Sequence, residues 1–190
     1  MPGIVGHMAV AKTVGEELNI NSDEFYQGNL LPDILEGSKR RSHFKKQGRF
    51  FHIPNTLYYR ESFDLDSDQN LGYYTHLLLD RYFMDEFIPS ITRDRDIFRS
   101  RTIYDDYDKS NASIIEYFAL DVEEILPKLV FSDPNIDLKR LGTNLECLTT
   151  TKEGPTSMID VEDYISFLED SSYRIADDVK TYKYVRKHYI

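Results

Sequence analysis

The sequence predicts an all-α protein, a multi-helix bundle. Three observations point there. Apolar residues recur at helical spacing over long stretches, as in Ile4–Asn19 and Gly72–Phe83. Alternating strand patterns are scarce and short. Proline and glycine punctuate the second half at Pro127, Pro134, Gly154 and Pro155, which leaves helix-length segments between them. The 190 residues, 41% of them hydrophobic, suit one globular domain spanning 1–190 with a sizeable core.

In chain order, residues 4–19 read as an amphipathic helix. His7, Val10, Ala11, Val14 and Leu18 share one face, and Lys12, Thr13, Glu16 and Glu17 lie opposite. Ser22 is a good N-cap, with Asp23 and Glu24 in the first turn. This short helix is expected to stop at Gly28. A turn stiffened by Pro32 then presents Asp33 among Leu30, Leu31, Ile34 and Leu35. Such an aspartate is either a ligand or an ordinary turn residue. Residues 36–49 read as a polar loop, with Lys39, Arg40, Arg41, Lys45, Lys46 and Arg49 around Ser42-His43. The loop is either a solvated surface or an electropositive rim for an anionic substrate. Pro54 is expected to open a helix to about Phe63.

Ser67 or Asp68 caps the central helix, expected to run to Asp85 or Ile88. His76 and Asp80 are four residues apart on it, so they share a face. Tyr73, Tyr74, Leu77, Leu78, Leu79, Tyr82 and Phe83 surround them, and a helix that is apolar all round is buried. A buried carboxylate needs a strong partner. The partner is either a divalent metal shared with His76 or a hydrogen bond that locks two helices. Beyond this helix, further helices are expected near 104–119, 121–131, 136–150 and 159–187.

Composition narrows the chemistry. The net charge of −10 argues against an open surface for a nucleic-acid duplex. No apolar run approaches the ~20 residues that span a bilayer. Cys147 is the only cysteine, and the first residues lack a basic, apolar leader, so a cytoplasmic home is expected. Any metal must be held by His, Asp and Glu, the ligand set of zinc, manganese or iron. Four of the five histidines, His7, His43, His52 and His76, precede residue 95. Residues 1–95 therefore read as the metal-site half, and 96–190 as helical scaffold.

The order of these pieces resembles the zinc-dependent phospholipase C family, which shares its helical fold with the fungal single-strand nucleases. The resemblance rests on helical His7, Gly28-Asn29-Leu30-Leu31-Pro32-Asp33, Ser42-His43-Phe44, and Gly72-Tyr73-Tyr74-Thr75-His76-Leu77-Leu78-Leu79-Asp80, over about the first 90 residues. The family hydrolyses a phosphodiester at a trinuclear zinc site. The resemblance implies that Asp33, His43, His76 and Asp80 surround a first metal. Asp80 then bridges to a second, beside His7. The third metal's histidines are missing, since none lies between His76 and His188; Asp85, Glu86 and His52 are the nearest substitutes.

The expectation is a phosphoesterase using one or two zinc ions and a metal-activated water, with Asp33, His76 and Asp80 as catalytic residues. Arg40, Arg41 and Lys45, with Lys39, would draw in a small anionic phosphate ester. The rival is a non-catalytic helical domain in which the cluster holds a structural metal and the role is binding a partner protein. An HD-type phosphohydrolase ranks last, because no adjacent His-Asp pair occurs.

Overall fold

The computed structural model describes residues 2–99 and 101–189. They are mostly helical. Helix α1 spans Ile4–Leu18, and Asn19 closes it in the left-handed conformation (φ 57°) with its N–H on Glu16 O. Ser22 caps α2 by accepting from Phe25 N at 3.3 Å. Here the structure corrects the expected stop at Gly28, because α2 runs on through Asp23–Ile34. Gly28 is a contact point. A Cβ there would lie 2.0 Å from Gln69 O, and one at Gly72 would lie 2.0 Å from Phe25 O. The two glycines let α2 and the central helix touch backbone to backbone. That contact holds the helix through a residue that would otherwise end it. Pro32 falls in the last turn, where a missing N–H interrupts little of the ladder. Asp33 therefore projects from a helix end.

The expected polar loop is also ordered. Helix α3 covers Lys39–Ser42, and strands β1 (Lys45–Gln47) and β2 (His52–Pro54) pair antiparallel, Lys46 opposite Ile53. Pro54 ends a strand and opens no helix. Asn55 caps α4, Thr56–Ser62, by accepting from Tyr58 N.

Ser67 caps α5, Asp68–Tyr82, the central helix. The chain continues helically through a π turn at Phe83–Phe87 and α6 at Ile88–Ile91. After these come α7 (Thr102–Tyr117), α8 (Val122–Ile125), α9 (Leu138–Thr149) and α10 (Val161–Tyr189). Only α8 and a 3-10 turn at Leu126–Lys128 fill the region expected as helix 121–131, since Pro127 cannot donate to the helix ladder.

Helix α5 runs through the core, buried from Leu71 to Asp80. Helices α1 and α2 pack against it, and α7 and α10 pack against α1. The irregular stretch before α10 is held by Asp106 of α7. Its fully buried carboxylate accepts from the N–H groups of Ser157, Met158 and Ile159 at 2.8, 2.7 and 3.1 Å. Among the described residues no helix is long and apolar enough to cross a membrane.

Candidate metal centre

Five side chains from four elements meet beside α5. Helix α1 brings His7, the end of α2 brings Asp33, the residue after α3 brings His43, and α5 brings His76 and Asp80. All are buried; the three histidines and Asp80 are at most 1% exposed, and Asp33 is 6% exposed.

The backbone contact between α2 and α5 sets the first ligand. It puts Asn29 O 2.8 Å from His76 Nδ1. A carbonyl only accepts, so Nδ1 carries the proton and Nε2 keeps a lone pair in the neutral ring. His43 is set similarly. The Ser42 hydroxyl donates to Pro32 O at 2.8 Å, so its oxygen accepts from His43 Nδ1 at 3.0 Å. His43 Nε2 is then also a lone pair. The two Nε2 atoms face each other at 3.3 Å.

Two lone pairs at that distance repel unless something positive lies between them. A single shared proton would quiet this contact alone. It would leave both Asp80 oxygens and both His7 nitrogens buried without a hydrogen bond. A cation would satisfy more of the set, though not His7 Nδ1. His43 Nε2 lies 3.4 Å from Asp33 Oδ1 and 3.4 Å from Asp80 Oδ2, and His76 Nε2 lies 3.7 Å from Asp80 Oδ2. These separations suit ligands of one ion better than hydrogen bonds. His7 Nε2 lies 3.5 Å from the other oxygen, Asp80 Oδ1. The His7 and His76 rings stack at 3.8 Å, almost parallel. These buried His and Asp groups could hold a metal ion.

The electrostatics agree. Burial pushes the Asp33 carboxyl up, but contact with His43 and the nearby His76 and Lys39 outweigh it and hold it well below the usual range. Burial likewise opposes ionisation of Asp80, and His7, His76 and His43 overcome it. Burial, then the adjacent His7 ring, push the His76 pKa well below its ordinary value. Ionised Asp33 and Asp80 beside a neutral His76 are protonation states that suit a metal.

A cleft of about 700 Å³ opens at the edge of the cluster. Asp33 is the one ligand of the five that reaches its wall. Lys39 and Lys45 stand beside it, with Lys39 Nζ 2.7 Å from Asp33 Oδ1. Arg40 and Arg41 are exposed outside the wall, since one turn of α3 can aim only one of three successive side chains inward. The opposite wall comes from α7 and α9, with Tyr107 and Lys139 among its residues. The half read as scaffold thus builds one side of the cleft.

The third-site substitutes lie elsewhere. Glu86 takes both Arg174 guanidinium nitrogens at 2.7 and 2.8 Å, Asp85 faces Arg81 at 3.8 Å, and His52 is exposed on β2. Sequence reasoning missed Asn29 and Ser42 as orienting groups, and Tyr107 and Tyr164 as neighbours. Both phenol hydroxyls are buried without a hydrogen-bond partner, and both feel the Asp80 charge. Two isolated tyrosines in the second half carry no motif that links them to a histidine cluster. No family model, curated protein or solved structure matches the chain.

Proposed function

We propose that the protein is a metal-dependent phosphoesterase, with zinc as the metal. The observation that carries this reading is the 3.3 Å approach of two Nε2 atoms beside a buried carboxylate that has no hydrogen bond, next to a cleft with lysines at its edge. His43, His76, Asp33 and Asp80 would hold a first ion, and His7 with the second Asp80 oxygen another. Two histidines and two carboxylates suit zinc's preference for nitrogen and oxygen donors. The metal supplies an activated water and polarises the phosphoryl oxygens.

The protein's own residues do the rest. Asn29 and Ser42 hold the imidazoles with Nε2 inward, a supporting shell that fixes tautomer and direction. Lys39 and Lys45 lie where an anionic ester would enter, and their charge favours it over neutral solutes. Asp33, at the mouth, would be a ligand, kept ionised by His43, His76 and Lys39.

The test is hydrolysis of bis(p-nitrophenyl) phosphate by untagged, zinc-loaded protein, with elemental analysis alongside. Turnover that a chelator abolishes supports the reading. Protein that binds zinc but is inert towards phosphodiesters and phosphomonoesters overturns it. That result would favour a second reading, a structural metal in a partner-binding domain. The near-complete burial of four of the five ligands is what speaks for that alternative.

A further inference from the structure

Six buried polar atoms without a hydrogen-bond partner belong to four neighbouring residues: His7 Nδ1 and Nε2, both Asp80 oxygens, and the hydroxyls of Tyr107 and Tyr164. A metal would account for one His7 nitrogen and the aspartate. It does not account for a phenol, which at neutral pH is a poor ligand and a good donor. An unpartnered buried hydroxyl costs stability, so a phenylalanine would suit the core better unless the hydroxyl meets something.

The two phenols differ in what they can meet. Tyr164 lies wholly inside, 1% exposed, against Gly6 of α1, where a Cβ would come within 3.0 Å of its hydroxyl. Tyr107 is 4% exposed, yet it lines the cleft together with Gly3, Ile4, Met84, Asp33 and Lys45. Of the four residues it alone reaches the space a substrate would enter. Burial and the neighbouring phenols and carboxylates hold its pKa well above the ordinary tyrosine value, so it remains a donor. Lys39 and Lys45 line the same cleft, so it carries two cationic donors as well as the Tyr107 ring, whose buried hydroxyl lies behind its wall.

We propose that the Tyr107 hydroxyl is a substrate-binding group that donates a hydrogen bond to a non-bridging phosphate oxygen at the inner end of the cleft. This rests on the phosphoesterase reading above. The ligand class is a tetrahedral phosphoryl anion. Its negative oxygens would meet the metal beside Asp33 together with donors from Lys39, Lys45 and Tyr107. No bond is made or broken by the phenol.

The experiment uses zinc-loaded protein and inorganic phosphate as the probe, with affinity measured by calorimetry for the wild type, Tyr107→Phe and Tyr104→Phe. Tyr104 is a half-exposed neighbour on the same wall whose ring meets Tyr107 edge-on. Tyr107→Phe should weaken phosphate at least tenfold and Tyr104→Phe less than twofold. Zinc content should be unchanged in both. The melting temperature of metal-free Tyr107→Phe should equal or exceed the wild type, because the lost hydroxyl had no partner. If the wild type turns over bis(p-nitrophenyl) phosphate, Tyr107→Phe should raise KM more than it lowers kcat. Equal phosphate affinity in Tyr107→Phe overturns the proposal even where hydrolysis succeeds. So does a wild type that binds no phosphate, or a metal-free variant that melts several degrees lower, which would make the hydroxyl structural. Phosphate binding that depends on Tyr107 in a protein with no turnover keeps the proposal and defeats the phosphoesterase reading.

Discussion

His76 has two unlike neighbourhoods. On its outer flank, towards α2 and α3, polar groups are tethered. His76 Nδ1 meets Asn29 O, His43 Nδ1 meets Ser42, and Asp33 meets Lys39. On its inner flank, towards α1, α7 and α10, the His7 ring nitrogens and the Tyr107 and Tyr164 hydroxyls have no hydrogen-bond partner among the described residues. Asp80 joins the two, with one oxygen near His43 and His76 and the other near His7. The outer flank is organised before any ligand arrives, so binding there loses little further conformational freedom. The inner flank leaves desolvated groups unsatisfied, and each such group lowers the stability of the unliganded fold. On the two-ion reading proposed above, an order of filling follows: the outer position would hold its ion more tightly.

The sharpest way to break this comparison is Asp80→Asn, which removes the one residue serving both flanks. It should lose both ions and all turnover. It should also lose the roughly 4 kcal/mol that a ligand adds at a thousand times its dissociation constant. Zinc titration followed by thermal melting reads this directly, and a variant that still binds one ion would mean that the flanks are independent. Next in size is Gly72→Ala. Its Cβ would lie 2.0 Å from Phe25 O, so α2 and α5 must separate, at about 3 kcal/mol. The same shift pulls Asn29 O from His76, so the outer ion should weaken as well. Denaturant unfolding with and without zinc separates the two effects.

His7→Ala tests the inner flank alone. Metal stoichiometry should fall by one ion, with the other kept. A variant stripped of all metal would show that the order of filling is wrong.

Acid sharpens the comparison in chelated protein. His76 is held neutral, so the unfolded chain binds a proton there that the folded chain refuses once pH falls below about 6.5. Stability should then drop as pH falls, by about 1.4 kcal/mol per unit for this one group. The lowered Asp33 and Asp80 values act in the same direction further down, below about pH 4, where carboxylates of the unfolded chain protonate. Melts at pH 8, 6 and 5 measure the first slope, and a flat profile would remove the buried neutral imidazole. The smallest effect is expected for Arg40→Ser with Arg41→Ser. Both side chains lie off the cleft, so KM should change less than twofold while stability stays level.

Sequence alone read local features on both flanks and missed those set by distant contacts, for a physical reason. Helices α1, α5 and α10 announce themselves through local periodicity and caps, and Ser22 and Ser67 act as read. The buried His76–Asp80 pair follows from the same local pattern. What failed depends on contacts distant in the chain. Gly28 and Pro32 look like a helix end, and only Gln69 across the helix crossing makes them a helix interior. Arg40, Arg41 and Lys39 are alike in sequence, and the rotation of α3 decides between them. Tyr107 lies 27 residues beyond Asp80 on another helix, with no spacing to tie it to the cluster.

The seating of α1 sets a sequence in time. His7 is held in place by packing against α10, where Gly6 lies under Tyr164 and Leu168. A ribosome has made every outer ligand once Asp80 has emerged, but the element that clamps His7 comes more than 80 residues later. At ~5–20 residues per second, that gap lasts on the order of 4–16 seconds. On the two-ion reading proposed above, the growing chain would pass through a stage able to capture one ion and not the second. Full loading would then be a late event in biosynthesis, tied to completion of the last helix.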